Sequence, residues 1–140
     1  MDRRKEIILN FLKSQLLGVI ATVDKNNKPE SALVGFSETD ELEIIFGTFN
    51  DTRKFANLQQ NPHVAFTISG PKITVQYEGV AKMAEVDEIE KYRAIHLTKN
   101  PRAQKVSHHV KQQFFKVTPS WIRYTDISQK PPVIWEITFP

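Results

Sequence analysis

Apolar residues at the start of the chain recur at helical spacing. Ile8, Phe11, Leu12 and Leu16 form one stripe, Asp2 can cap it, and the pattern predicts a helix over residues 2–16. At Gly18 the period changes to two. Val19, Ala21 and Val23 alternate with Ile20 and Thr22, a strand apolar on both faces and therefore buried. After a turn at Asp24–Pro29, the alternation resumes through Ala32, Val34 and Phe36. A second turn at Ser37–Glu41 leads to a third strand through Leu42, Ile44 and Phe46. Short connections between three strands imply an antiparallel meander.

Residues 50–60 return to helical spacing, with Phe55 and Leu58 inward and Asn61-Pro62 as the stop. His63 to Ser69 and Lys72 to Val86 read as a fourth and a fifth strand. Gly79 inside the latter marks a bulge, the device that curls a sheet. Asp87 and Glu90 have capping-box spacing and open a helix to about Lys99, ended by Asn100-Pro101. The polar stretch from Arg102 to Gln113 has no clear period. Phe114 to Asp126 and Val133 to Phe139 are two last strands, with Pro119 expected to interrupt the first at a bulge or an edge. Parallel crossovers do not recur, so a doubly wound sheet is disfavoured. The expectation is a mainly β fold with flanking helices: one domain over residues 1–140, a six- to seven-stranded antiparallel barrel.

Composition changes this picture little. The 140 residues are 40% hydrophobic and 25% charged, ordinary values for one globular core. There is no cysteine, which excludes disulfides and thiolate metal sites. No long apolar run occurs, and Met1-Asp2-Arg3-Arg4-Lys5-Glu6 leads into an amphipathic pattern, so no membrane partner and a cytoplasmic location are expected. The net charge of +3 is spread among interspersed acids, and no nucleic-acid motif is present; no nucleic-acid partner is expected.

The chemistry concentrates in Phe46-Gly47-Thr48-Phe49-Asn50-Asp51-Thr52-Arg53-Lys54. A strand ends, a polar loop follows, and a helix begins with two cations in its first turn. Helix starts expose unpaired N–H groups and the positive end of the dipole, where acids are normally preferred. Arg53 and Lys54 make electrostatic sense there if an anion docks between them. Two solvated surface charges are the alternative, since the dipole penalty is only about 0.3–1 kcal/mol per charge. Gly35 and Gly47 lack side chains and leave room for a flat ring against the strands.

The run Thr52-Arg53-Lys54 followed by Asn61-Pro62-His63-Val64 resembles the Ser/Thr-x-Lys to Asn-Pro-x-Val signature of the pyridoxamine 5′-phosphate oxidase-like split barrels. Gly18 to Val23, Val75-Gln76-Tyr77-Glu78-Gly79-Val80-Ala81 and Val117 to Asp126 are similar to further strands of that family, in the same order. The resemblance implies a homodimer that holds FMN in a groove between subunits. By the same resemblance, Arg53 and Lys54 grip the phosphate, Thr52 supplies a hydroxyl, and Gly47 and Thr48 lie along the flavin. Leu33, Val34 and Gly35 face the ring edge, and Thr74 or Gln76 occupies a position that is often Gln. Two departures are visible: the strand with Ala32 lacks an arginine, and Val133–Pro140 contains no Arg-x-His element. The chain therefore resembles the short general-stress-protein-like members more than true oxidases. The implied activity is a flavin-dependent oxidoreductase passing electrons between a reduced nicotinamide and a small-molecule substrate, with no side chain assigned as catalytic. The alternative is a non-catalytic carrier of flavin, deazaflavin or haem.

The remaining candidates are weaker. His108 and His109 are adjacent and point apart, so they are expected on an exposed loop; an axial haem ligand is their other reading. His63 is expected at a strand start and His96 as a structural residue of the third helix. Trp121 and Trp135 are expected in the core or at a dimer interface.

Overall fold

A computed structural model describes residues 2–140. Helix α1 (Arg3–Lys13) is capped by Asp2, whose carboxylate accepts from the Arg4 amide at 2.7 Å, and it buries Ile8, Leu9, Phe11 and Leu12. Eight strands follow: β1 (Leu17–Val23), β2 (Pro29–Gly35), β3 (Ser37–Glu38), β4 (Ile44–Phe49), β5 (His63–Ser69), β6 (Ile73–Met83), β7 (Gln112–Asp126) and β8 (Val133–Thr138). Helix α2 (Arg53–Gln60) joins β4 to β5; α3 (Ile89–Lys99) and the short α4 (Gln104–Ser107) join β6 to β7.

Every pairing is antiparallel, in the order β2-β1-β5-β6-β7-β4-β3. Strands β2 and β3 stand at opposite ends of this order, yet only Phe36 separates them in the chain. The segment therefore pairs with β1 through Pro29–Gly35 and with β4 through Ser37 and Glu38, which brings the two ends of the sheet together. The split comes from β7. Its first half pairs with β4 as far as Val117, its second half pairs with β8 from Trp121 onward, and both partners lie opposite β6. The result is the split barrel expected from the sequence.

Gly79 and Pro119 meet at this fork. The register slips there, so that Glu78 faces Trp121 and Gly79 faces Pro119, leaving Ser120 as the extra residue of a bulge. Pro119 does not break β7. It sits where β4 has ended and β8 has not begun, so its missing N–H deprives no neighbouring strand of a donor. A side chain at Gly79 would run into the Thr118 carbonyl, so the bulge requires glycine.

Several boundaries differ from expectation. Helix α1 ends at Lys13, and Leu16 is exposed instead of completing its stripe. Strand β4 starts at Ile44, because Leu42 lies in a turn with φ 64°. The capping box before α3 is Glu85 with Glu88, two residues earlier than Asp87 with Glu90, and it closes a 3₁₀ turn at Val86–Glu88. The stretch without a period, 102–113, holds α4 and two turns.

The barrel interior is aromatic and aliphatic. Phe46 stacks on Phe115 at 5.3 Å and meets Phe66 edge-on at 6.0 Å, while Ile20, Ile44 and Ile68 fill the space around them. Each such fully buried side chain contributes about 1.5–3 kcal/mol. Trp135 stacks on Tyr124 at 4.7 Å and packs against this core, whereas half-buried Trp121 donates its Nε1–H to Glu136 at 3.0 Å. Among the described residues no helix is long and apolar enough to cross a membrane.

Candidate functional site

The site begins with how α2 is held. Thr52 caps the helix: its Oγ1 accepts from the Phe55 amide at 3.3 Å and donates to the Phe49 carbonyl at 3.0 Å. Thr48 Oγ1 lies 2.9 Å from Thr52 Oγ1, so the end of β4 and the start of α2 are tied directly. The Thr52 hydroxyl is thereby committed to the cap. One turn later, buried Asn57 donates from Nδ2 to Thr22 Oγ1 at 3.0 Å and to Glu30 Oε1 at 2.9 Å, which anchors α2 to β1 and β2.

The first turn of α2 contains no acid. The amides of Arg53 and Lys54, two of the orphan donors of a helix start, have no hydrogen-bond partner among the described residues. The two cations differ. Arg53 Nη1 pairs with Glu30 Oε2 at 2.9 Å and is largely exposed. Lys54 is half-buried and pairs with no carboxylate among the described residues; burial holds its ammonium below the usual lysine value.

Two cavities border this point. The larger, about 630 Å³, is walled by Leu33, Val34 and Gly35 of β2, Gly47 and Thr48 of β4, and the α3–α4 region. The smaller, about 120 Å³, lies between β2 and α2 against Glu30, Ala32 and Arg53. Thr52 and Lys54 line both. Of the residues singled out from the sequence, Leu33, Val34, Gly35, Gly47, Thr48, Thr52, Arg53 and Lys54 thus line two cavities that share Thr52 and Lys54. Thr74 and Gln76 are not. They lie on β6, where Thr74 Oγ1 is 3.4 Å from Ser69 Oγ and Gln76 borders a separate hollow with Trp121.

The two glycines differ as well. A side chain at Gly35 would meet only Asn100 Oδ1 at 3.7 Å and the Leu16 carbonyl at 3.9 Å, so this wall is open to the cavity. At Gly47 the room is taken by the carboxamide of Gln112, the residue at the start of β7.

The far wall was not apparent from the sequence. His96, Asn100 and Arg102 line the larger cavity. His96 is only 5% exposed; its Nδ1 lies 3.2 Å from Ser37 Oγ, and burial, with Lys99 nearby, holds the imidazole below its usual value. Asn100 donates to the Phe36 carbonyl at 3.0 Å. Tyr92, His96 and Asn100 recur every four residues, a spacing that places them on one helical face and was the available signal. His108 and His109 are exposed, as expected, and neither lines a cavity near Lys54. His109 stacks on Phe49 at 4.7 Å.

The family model for pyridoxamine 5′-phosphate oxidase matches residues 5–126. A pyridoxine/pyridoxamine 5′-phosphate oxidase of Haemophilus influenzae is 35% identical over 77 residues, which are 54% of this chain and 37% of that protein. The chain spans about half or less of the length of the curated relatives it matches. Among solved structures, a heme binding protein from Mycobacterium smegmatis superposes with a TM-score of 0.85 at 18% identity, over 99% of this chain and 59% of the other. General Stress Protein 26 from Bacillus anthracis gives 0.74 at 22%, over 97% and 100%. A pyridoxamine 5′-phosphate oxidase-related, FMN binding protein from Nostoc punctiforme gives 0.72 at 12%, over 100% and 98%. The family model spans most of the chain, and the chain belongs to the pyridoxamine 5′-phosphate oxidase family.

Proposed function

We propose that the chain binds FMN, with the phosphate at the start of α2 and the flavin in the larger cavity, and acts in the cytoplasm as a flavin-dependent oxidoreductase on a small molecule. Lys54 carries this reading: a half-buried ammonium with no counter-ion and beside two unpaired amides among the described residues, lining both a small cavity and a large one. Each charge-assisted hydrogen bond to a phosphate contributes about 1.5–3 kcal/mol. Two or three of them fall short of or barely reach the roughly 8 kcal/mol of a micromolar ligand, so a ring held against Leu33, Val34 and Gly35 supplies the remainder.

Bound FMN supplies hydride and electron transfer, with a reduced nicotinamide as donor. The protein's own groups position and shield. Lys54 and the α2 amides hold the anion, the Thr48–Thr52 link fixes their geometry, and the apolar β2 edge excludes water. The site is completed, on this reading, by a second copy of the chain. Leu16, Leu17, Val19 and Leu33 are 41–66% exposed, and Val19 and Leu33 are direct partners in the β1–β2 ladder. This apolar strip borders the cavity and would be covered in a homodimer.

One observation favours a second reading, a carrier of flavin, deazaflavin or haem without turnover. The His96 imidazole, its proton affinity lowered by burial, lines the large cavity, and imidazole is an iron ligand by chemical type. An absorbance spectrum of the purified protein, taken after adding FMN and removing the excess, separates a flavin site from a haem site, and steady-state oxidation of a reduced nicotinamide by the flavin-loaded protein separates turnover from carriage. Stoichiometric flavin bands that vanish in Lys54→Ala support the site. A colourless wild-type protein that instead takes up haemin with a shifted Soret band supports the second reading. Retention unchanged in Lys54→Ala refutes the phosphate assignment.

A further inference from the structure

The Arg53–Glu30 pair places a carboxylate inside the proposed phosphate cavity. Glu30 lines the 120 Å³ space together with Arg53 and Lys54, and its side chain is 10% exposed. It cannot swing out: Oε1 is held at 2.9 Å by Asn57 Nδ2, and Asn57 is itself buried and bonded to Thr22. Oε2 faces Arg53 at 2.9 Å, with Lys28 Nζ 3.9 Å away at the rim. Arg53, 72% exposed, is the mobile member of the pair. An anion that enters this space meets one unpaired cation, Lys54, and one cation already neutralised.

We propose that Glu30 is a built-in counter-ion that keeps the head-group site exchangeable, so that FMN binds as a reversible ligand and not as a permanently held group. This rests on the FMN reading above. The physical ground is that Glu30 opposes a phosphate in two ways. Its charge repels the anion directly, and it must be given up by Arg53 before the guanidinium can turn to the ligand. Both costs depend on the ligand's charge, so they act on FMN and leave uncharged riboflavin untouched. Both also favour departure, because Glu30 recaptures Arg53 as the phosphate leaves.

The test is Glu30→Gln, which keeps an oxygen for Asn57 and removes the charge. Binding of FMN and of riboflavin to wild-type and variant protein is followed by quenching of flavin fluorescence, with stopped-flow dissociation. The expected result is FMN bound about tenfold tighter, mainly through slower dissociation, with riboflavin affinity unchanged. Equal or weaker FMN binding overturns the inference, as does an equal gain for riboflavin. Arg53→Ala guards against a folding defect in the single variant, because it leaves Glu30 unpaired and facing the ligand. Adding Glu30→Gln to Arg53→Ala should restore FMN affinity about tenfold, and no restoration overturns the inference. If FMN binds neither wild type nor variant, the FMN reading itself fails, and this inference with it.

Discussion

Ser37 and His96, 59 residues apart in sequence, meet with Ser37 Oγ 3.2 Å from His96 Nδ1, and His96 lines the large cavity. The same hydroxyl reaches the Ile45 carbonyl at 3.4 Å. With that hydrogen on the Ile45 carbonyl, Nδ1 is the donor and Nε2 carries the lone pair; with it on the ring, the two nitrogens exchange roles. No hydrogen bond to Nε2 forms among the described residues. The large cavity is thus lined by both Lys54 and a buried imidazole whose proton affinity is lowered.

That imidazole makes stability depend on pH. Burial lowers the folded-state value below 6.5, with the Lys99 charge acting in the same direction. Above pH 6.5 both folded and unfolded chains are neutral at this position, and His96 has no pH effect. As the pH falls through 6.5, the unfolded chain takes up a proton that the folded chain refuses, and stability is lost until the folded value is passed. Thermal melts should fall between pH 7.5 and pH 5.5, and by less in His96→Gln. An equal fall in both proteins would show that His96 is not the titrating group.

The apolar strip predicts association. Leu17 is 55% and Leu33 66% exposed, and replacing either with glutamate puts a charge into the proposed contact. Leu33→Glu should sediment as a monomer in analytical ultracentrifugation while wild type sediments as a dimer, and it should melt within about 3 °C of wild-type monomer, since an exposed residue contributes little to the core. A monomeric wild-type protein would refute the contact.

Tyr77 predicts a stability effect without a site effect. Its hydroxyl lies 2.8 Å from the Leu42 carbonyl and 3.1 Å from that of Val117, fully buried, with the phenol held strongly neutral by desolvation. Leu42 has φ 64°, in the left-handed region that costs a non-glycine residue free energy, and the Tyr77 bond helps hold it there. Tyr77→Phe should cost about 1–3 kcal/mol and lower Tm by roughly 3–8 °C. Flavin retention should be unchanged, because neither Tyr77 nor Leu42 lines the cavities at α2.

Much of the fold was legible because period-two and helical patterns are local. Strand β5 appears over the residues read from the sequence, His63 to Ser69, and the bulge sits at Gly79 as its place within an alternating run implied. Pro119 sits at the bulge that a strand proline without an N–H implies, and the forked pairing of β7 decides that it costs no ladder bond there. Helix α3 illustrates the opposite limit. His96 was expected to be structural; it is indeed buried, and it also walls the cavity, a second role that depends on β3 lying across from it.

By itself the sequence determined the longer strands and helices, though not β3 or α4, and that two cations begin α2, since hydrophobic period and the chemistry of a helix start act within a few residues. Only the tertiary structure decided how those cations are spent. Pairing of β2 with β1 and docking of α2 bring Glu30 to Arg53 across 23 residues, while Lys54, the next residue, lines two cavities with no such partner among the described residues. Adjacent residues on a helix point about 100° apart, so which of them meets a carboxylate depends on what packs against each side.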